Sequence, residues 1–484
     1  MKSEHYSLSS WLFLRILAVI HLIAFVSFWT QAPGLIGPHG LLPAARLFAY
    51  VHQHLGWSRY WQLPSLCWWL GTGAALPALC AAGIVLALLL FAGIAPALCL
   101  ALLWLDYLSL ACAGQIFFDF QWDALLLETT LLAIFLAPWS LRPGWRRTEP
   151  AALGRGLLVW LLFRLMLLSG LVKLTSGDPQ WRHFTALAFH YQTQPLPTAL
   201  AWYAQQLPLR VQWLCCAIMF AIELLVPWGL PATKRWRRAA ALVLIGFQIL
   251  IAATGNYTFF NLLTAALCLL CLDDEFWGGL ARFLERWSPA PEPGRSEHPP
   301  GFCLRLVAGL VILITGVEAL MDFSPAVAQY PPLVSLVEVV APFRSLNNYG
   351  LFAVMTTRRR ELVIQGSDDG RDWRAYELPH KPGDPARRPD FVAPFQPRLD
   401  WQLWFAALSP PDDNRWVLTL CVHLLRGTPE VLSLIEHNPF PDHPPKSIRV
   451  VLYDYRFTTP AERSATGYWW QREAIGFYVP AFSL

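Results

Sequence analysis

The sequence predicts a polytopic α-helical membrane bundle of about nine transmembrane helices, followed by a mostly β domain on the exoplasmic side of the membrane. Two observations predict the bundle: 55% of the 484 residues are hydrophobic and 14% are charged, and apolar windows long enough to cross a bilayer recur along the chain. A third observation predicts the domain, because alternating β-branched and aromatic residues with turn signals replace these windows after about residue 325. The small net charge of +4 predicts no nucleic-acid partner.

Windows of about 20 apolar residues match the thickness of the hydrocarbon core of a bilayer. They define a transmembrane domain at 1–323 and an exoplasmic domain at 324–484. The Pro-rich stretch 287–300 is predicted to be a linker, because it has too few apolar residues to fold alone. The windows are 11–30, 66–89, 92–112, 120–139, 155–174, 210–230, 238–254, 257–274 and 302–321.

Positively charged residues accumulate in three of the loops between these windows. Short loops rich in Lys and Arg stay in the cytoplasm during insertion, and with nine windows the three loops fall on the same side as the N-terminus. We therefore expect a cytoplasmic N-terminus and an exoplasmic C-terminal domain. The basic residues are Arg142, Arg146, Arg147, Arg155, Lys234, Arg235, Arg237, Arg238, Arg282, Arg286, Arg295 and Arg305.

The exoplasmic domain is predicted to contain four strands, at 361–365, 373–378, 448–457 and 475–482, and one helix around 400–425. Asp400 precedes an aromatic run and suits a helix N-cap, which would place Trp401 and Trp404 on one helical face. Together with Arg398, these residues are candidates either for core packing against the sheet or for a client-binding surface rich in aromatic rings.

Three charged residues lie inside the apolar windows: Glu128, Arg164 and Glu223. Counted from the ends of their windows they lie at similar depth, and an unpaired charge there costs several kcal/mol. We expect Arg164 to pair with one or both carboxylates. The intramembrane cluster is then either a structural clamp between helices or a proton or ligand site.

Lys173 lies at the outer end of the fifth window, nine residues from Arg164 and therefore on the opposite helical face. It is interpreted either as a snorkelling or paired lysine or as a catalytic base. An exoplasmic-side polar cluster is predicted at the same level, formed by Asp119, Trp122, Asp123, Asp178, Trp181, His183, His190 and Asn256.

The common catalytic signatures do not occur in the sequence. It contains no G-x-S-x-G elbow, no H-E-x-x-H pair, no G-x-G-x-x-G turn and no phosphate-binding P-loop. The sequence thus contains no signature of a lipase, a metalloprotease or a nucleotide-binding protein, and it identifies neither a metal site nor a cofactor. A non-enzymatic role is favoured.

Eight motifs are spread over nearly the whole chain: 34–43 (GLIGPHGLLP), 120–129 (FQWDALLLET), 169–181 (SGLVKLTSGDPQW), 190–197 (HYQTQPLP), 202–208 (WYAQQLP), 255–264 (GNYTFFNLLT), 348–352 (NYGLF) and 396–408 (QPRLDWQLWFAAL). In this order they resemble the lipase maturation factor family of multi-pass membrane proteins. The resemblance implies a folding and assembly factor that secreted lipases need to become active dimers, with the distal domain contacting the exported client. It implies the endoplasmic reticulum membrane in a eukaryote and the plasma membrane in a bacterium.

A shorter stretch, Gly170 to Leu174, is similar to the G-L-K-K-L sequence of the vitamin K-dependent gamma-carboxylases, in which Lys173 would fall on the active-site lysine. This similarity implies an alternative function. The chain would then be a membrane enzyme that uses Lys173 as a base on a lipid-soluble cofactor or substrate.

Overall fold

The computed structural model of the chain describes residues 4–141, 147–284, 286–287 and 301–484. Most of the predicted linker, and Arg142, Arg146 and Arg295 of the basic loops, lie outside these residues. Up to the linker, the helices are α1 Ser7–Ile36, α2 Ala44–Leu55, α3 Arg59–Gln62, α4 Cys67–Leu70, α5 Thr72–Ala92, α6 Pro96–Gly114, α7 Gln121–Leu136, α8 Ala152–Thr175, α9 Pro179–Arg182, α10 Leu187–Thr193, α11 Ala199–Gln205, α12 Leu209–Leu225, α13 Lys234–Thr254, α14 Phe260–Leu269 and α15 Gly278–Leu284.

Within the described residues, seven helices are long and apolar enough to cross a membrane: six of those above (α1, α5, α6, α8, α12 and α13) and α16, Gly301–Phe323. This confirms a membrane-type helical bundle. The windows 120–139 and 257–274 form shorter helices, since α7 has 16 residues and α14 has 10. The backbone of the second window is not helical at residues 257–259, so its apolar length overstates its helical length.

The two ends of the bundle differ in composition. At one end, which we call the N-terminal end, the chain start meets the basic residues of α8 and α13. Arg237 pairs with Glu4 at 2.8 Å, and the Arg155 guanidinium lies 3.8 Å from the centre of the Tyr6 ring. At the opposite end, which we call the distal end, the bundle meets the rest of the chain.

The region after α16 is a four-stranded antiparallel sheet with helices, of order β2-β1-β3-β4. The strands cover the four predicted segments in whole or in part, but the expectation of a mostly β domain with one helix is wrong. Helices and loops separate the strands, because the apolar run after residue 398 packs on the bundle as well as on the sheet. The elements are α17 Pro325–Ala328, α18 Pro331–Val340, β1 Arg359–Ser367, β2 Arg374–Ala375, α19 Arg398–Ala406, α20 Arg415–Leu425, α21 Pro429–Leu432, β3 Ser447–Phe457, α22 Pro460–Thr466 and β4 Trp470–Phe482.

Helices α7 and α8 pack closely at Gly154. A Cβ atom at this position would overlap the backbone of α7 at the Phe135 carbonyl. Gly156, two residues further along the same helix, has nothing within 4 Å of its Cβ direction. Alanine substitutions at Gly154 and Gly156 therefore distinguish the effect of helix packing from the effect of helix propensity on stability.

We predict that Gly154→Ala lowers the free energy of unfolding by about 1–3 kcal/mol, because the new methyl group meets backbone atoms that cannot change rotamer. The matched change Gly156→Ala should be neutral or slightly stabilising, since alanine favours a helix by roughly 0.5–1 kcal/mol. Thermal unfolding of both variants in detergent measures the difference, and equal melting temperatures would contradict this packing.

Candidate functional site

The Arg398 side chain enters the distal end of the bundle and forms a fully buried ion pair with Asp123 of α7. Its Nη1 and Nη2 donate to Asp123 Oδ2 and Oδ1, both at 2.8 Å, and Nη2 also donates to Gln396 Oε1 at 2.7 Å. The guanidinium lies 3.8 Å from the centre of the Phe118 ring, and Tyr107 donates its hydroxyl hydrogen to Asp123. Two-pronged Arg–carboxylate pairs are strong and directional, so this contact determines how α19 sits on the bundle.

Polar residues of α1 hold the backbone just before Arg398. Ser27 Oγ accepts from the Gln396 amide at 3.0 Å. The side-chain nitrogen of Gln31 donates to the backbone carbonyl of Gln396 at 2.7 Å, and its side-chain oxygen accepts from the backbone N–H of Arg398 at 3.0 Å. Sequence reasoning missed Ser27 and Gln31, although two polar residues at i and i+4 in an apolar helix were a usable signal.

Glu128 and Arg164 form the expected ion pair between α7 and α8, and both are buried. The segment after α18 completes their hydrogen bonds. Arg164 Nη1 donates to the Asn347 carbonyl at 2.9 Å, and Glu128 Oε2 accepts from the Asn347 amide at 3.2 Å and from the Tyr349 hydroxyl at 2.8 Å. Residues 347–349 thus reach a charge pair near the middle of α7 and α8.

Glu223 does not join this cluster, which corrects the expectation of a shared depth. It pairs instead with Lys173, whose Nζ donates to Glu223 Oε1 at 2.9 Å, to Glu223 Oε2 at 2.8 Å and to the Ser169 carbonyl at 3.0 Å. Helix α12 is shifted towards the distal end, where Trp213 packs on Phe184. Counting residues from the ends of helices cannot detect such a shift.

The three carboxylates expected beside Lys173 have other partners. Asp119 pairs with Arg344 at 3.1 Å, Asp123 pairs with Arg398, and Asp178 accepts from the Gln180 and Met355 amides. Lys173 instead lies 5.6 Å from the centre of the Trp181 ring.

The predicted exoplasmic-side polar cluster is therefore not one pocket. Seven of its eight members contact the region after α16, at several points along it: Asp119, Trp122, Asp123, Asp178, Trp181, His190 and Asn256. His183 is exposed. We call these seven residues, with Glu128 and Arg164, the docking ring.

Asn256 shows how complete these contacts are. Its side-chain oxygen accepts from the Val392 and Ala393 amides at 2.7 and 3.0 Å, and its nitrogen donates to the Asp390 and Leu196 carbonyls at 2.9 and 3.1 Å. A buried amide with all of these bonds made specifies one position for the 390–393 loop.

His190 packs edge-on against Phe352, with ring centres 5.0 Å apart, and its Nε2 lies 3.3 Å from the Tyr257 hydroxyl. Burial and the nearby Lys173 ammonium lower the pKa of His190 to about 4. The imidazole is therefore neutral near pH 7 and serves as a packed, uncharged member of the ring.

The four client-binding candidates, Arg398, Asp400, Trp401 and Trp404, are all buried, and all except Asp400 contact the part of the chain before α16. Asp400 is not the N-cap, which is Pro397; its carboxylate accepts from the His380 and Lys381 amides at 2.8 and 2.7 Å. Burial raises the pKa of Asp400. The structure thus places these residues in an internal interface rather than on an exposed surface.

Arg359 of β1 makes a second buried attachment that sequence reasoning missed. Its guanidinium donates to the carbonyls of Gln192 and Pro195 at 2.8 and 2.7 Å and to Glu361 Oε1 at 2.6 Å. Lys381 lies 3.0 Å from the other Glu361 oxygen. An arginine at the start of a strand carries no sequence signal for such a role, because its acceptors are backbone carbonyls far away in the chain.

In chemical terms, the docking ring is an interface of satisfied charges. Among the described residues, no group of three or more His, Cys, Asp and Glu side chains could hold a metal ion. Fold and site together define an integral membrane protein whose helical bundle carries a firmly attached distal region.

The chain belongs to the lipase maturation factor family, which confirms the resemblance noted from the motifs. Residues 8–279 match the lipase maturation factor transmembrane domain and residues 345–480 match the lipase maturation factor C-terminal domain. The chain is 33% identical to lipase maturation factor 2 of Rattus norvegicus, over 98% of this chain and 83% of the relative. It is 34% identical to lipase maturation factor 1 of Bos taurus, over 97% of this chain and 88% of the relative. No solved structure matches the chain.

We predict that Arg398→Ala lowers the free energy of unfolding by about 3–5 kcal/mol, because it leaves the Asp123 carboxylate buried without a partner. Residues 324–484 should also become more sensitive to protease. The double change Asp123→Leu with Arg398→Met should cost less than Arg398→Ala, since no unpaired charge remains.

The control for this prediction is Arg360→Ala, a change of the same type at an exposed position of β1. Thermal unfolding and limited proteolysis compare the variants. If Arg398→Ala behaves like Arg360→Ala, the Arg398 contact does not hold the distal region.

Proposed function

We propose that this protein is a membrane-embedded maturation factor that assists the folding or assembly of secreted lipases or of other exported proteins. The observation that carries the proposal is an identity of 33–34% to lipase maturation factors 1 and 2 along nearly the whole chain. Both domains of the family are present and in the same order, so the relation includes the bundle, the docking ring and the distal region.

The proposal includes an orientation. The N-terminal end of the bundle contains Arg155, which donates to the Leu270 carbonyl. It also contains Lys234, Arg237 and Arg238, each of which pairs with an acidic residue. Short basic loops stay on the cytoplasmic side, which supports a cytoplasmic N-terminus and an exoplasmic distal region. In this arrangement α7 and α14 are the two shorter of nine traverses. The membrane is that of the endoplasmic reticulum in a eukaryotic cell and the plasma membrane in a bacterium.

The client contact is proposed to lie on an exposed part of the distal region, because Arg398, Asp400, Trp401 and Trp404 are buried. The exposed middle of the edge strand β4 supports a client contact in the distal region. Residues 472–477 are exposed in succession, and they include the apolar side chains of Ile475 and Phe477.

The alternative of a membrane enzyme with Lys173 as a base has less support. The three hydrogens of a Lys173 ammonium have three acceptors, two on Glu223 and one on Ser169. A general base needs a lone pair within reach of its substrate, whereas the Lys173 amine is turned towards Glu223 and Ser169 and is buried.

We predict that deletion of the protein lowers the specific activity of at least one secreted lipase of the source organism several-fold, while lipase mRNA stays unchanged. The physical reason is that an unassembled lipase is synthesised but does not reach its active form. Measuring lipase activity per mass of secreted enzyme, together with its mRNA, tests this. Unaltered activity of every secreted lipase contradicts the proposal.

Complementation of the deletion strain distinguishes a structural role of Lys173 from a catalytic one. The double change Lys173→Met with Glu223→Leu removes both charges and leaves no unpaired partner. It should restore lipase activity if the pair is structural. A folded double variant that fails to restore activity would favour the enzymatic reading, and wild-type protein is the control.

A further inference from the structure

The segment between the spans α1 and α5 has an unusual surface. Residues 44–70 form α2, α3 and α4, and several of their large aromatic side chains face outward. Trp57 is 85% exposed, Trp69 70%, Tyr50 62% and Trp61 50%. In water-soluble proteins such rings are normally buried, whereas in membrane proteins they are concentrated at the boundary between the hydrocarbon core and the lipid headgroups.

The position of the segment fits that boundary. Its two ends join the distal ends of the spans α1 and α5, and the exposed Leu70 leads into the apolar outer face of α5 at Val85 and Leu88. The exposed surface of residues 44–70 is therefore continuous with the surface that a bilayer covers. A soluble partner would not account for that continuity.

A second apolar helix lies beside the segment. Helix α18 follows the span α16 and is packed on it. Trp61 Nε1 donates to the Val339 carbonyl at 3.0 Å, and the Trp61 ring meets Phe343 edge-on at 4.9 Å between ring centres. Three spans thus end in one shared layer of short helices.

The charged residues of the segment are all basic. From residue 31 to residue 105 the sequence contains no Asp or Glu, whereas residues 44–70 contain Arg46 and Arg59. The Arg59 guanidinium lies 4.6 Å from the centre of the Tyr60 ring and 5.4 Å from that of Trp68. The acidic residue of the adjoining helix α18 is Glu338, which is exposed. A cation held among aromatic rings, as Arg59 is, suits phosphate groups at the membrane surface.

We propose that residues 44–70 form an interfacial layer that lies in the headgroup region of the distal leaflet and binds anionic phospholipids. The indole rings of Trp57, Trp61 and Trp69 enter the boundary of the acyl chains, and Arg46 and Arg59 contact headgroup phosphates. The layer anchors the distal end of the bundle at a defined depth. This inference is independent of the proposed client, since it requires only that the spans lie in a bilayer.

The test is photo-crosslinking of the full chain in lipid nanodiscs. Benzoylphenylalanine is introduced in place of Trp57 or Trp69, one site at a time, and the adducts are identified by mass spectrometry. In discs with equal amounts of phosphatidylglycerol and phosphatidylcholine, we expect phospholipid adducts with about a fivefold preference for the anionic lipid. Capture of protein alone, or no adduct in the presence of a well-folded chain, would overturn the inference.

Two controls make the result specific. The same probe in place of Phe477, an exposed aromatic residue of β4, should capture no lipid, and equal capture there would overturn the assignment. The double change Arg46→Gln with Arg59→Gln should reduce the preference for the anionic lipid to about one while lipid adducts remain. An unchanged preference would contradict the role of the two arginines.

Discussion

Two buried carboxylates of α7 depend on the distal part of the chain for their partners. Asp123 pairs with Arg398, and the ion pair between Glu128 and Arg164 is completed by hydrogen bonds with Asn347 and, at Glu128, with Tyr349. An unpartnered charge in such surroundings costs several kcal/mol. The bundle and the distal region are therefore parts of one folding unit, and neither is satisfied alone.

This constraint bears on function because it determines what the distal region can present. Arg398, Trp401 and Trp404 of α19 are buried and contact the part of the chain before α16, whereas β4 lies at the free edge of the sheet. A protein that acts on exported clients gains from a fixed geometry, since a rigid surface loses less conformational entropy on binding than a mobile one. The Lys173–Glu223 pair joins α8 to α12 inside the bundle and lies beside Trp181 of the docking ring.

The sequence was sufficient for the bundle and for the positions of the strands, because apolar length and strand alternation are local properties. The four strand segments correspond to strands, and seven of the nine windows correspond to helices long enough to cross a membrane. The helices after α16 were underestimated, because part of the apolar run there packs on the bundle. The residues of the docking ring also stood out, because charged and polar residues are rare near apolar windows. Arg398 stood out as well, but its pairing with Asp123 could not be predicted, since the two residues are 275 positions apart and nothing local connects them.

The errors have equally specific causes. Glu223 was grouped by depth with Arg164, whereas it pairs with Lys173, because residue counting does not detect that α12 is shifted along the bundle. The length of α14 was overestimated because apolar residues also occur in non-helical backbone. Arg359 was missed because its acceptors are backbone carbonyls, which every sequence contains.

The most direct measurement of the central claim is the distance between the two regions in a lipid bilayer. Spin labels are attached at Tyr50, in the interfacial layer, and at Ile475, on β4, both of which are exposed. Double electron–electron resonance in nanodiscs should give a single narrow distance distribution, because buried ionic contacts fix the distal region on the bundle. A broad or multiple distribution for the wild-type chain would contradict this account.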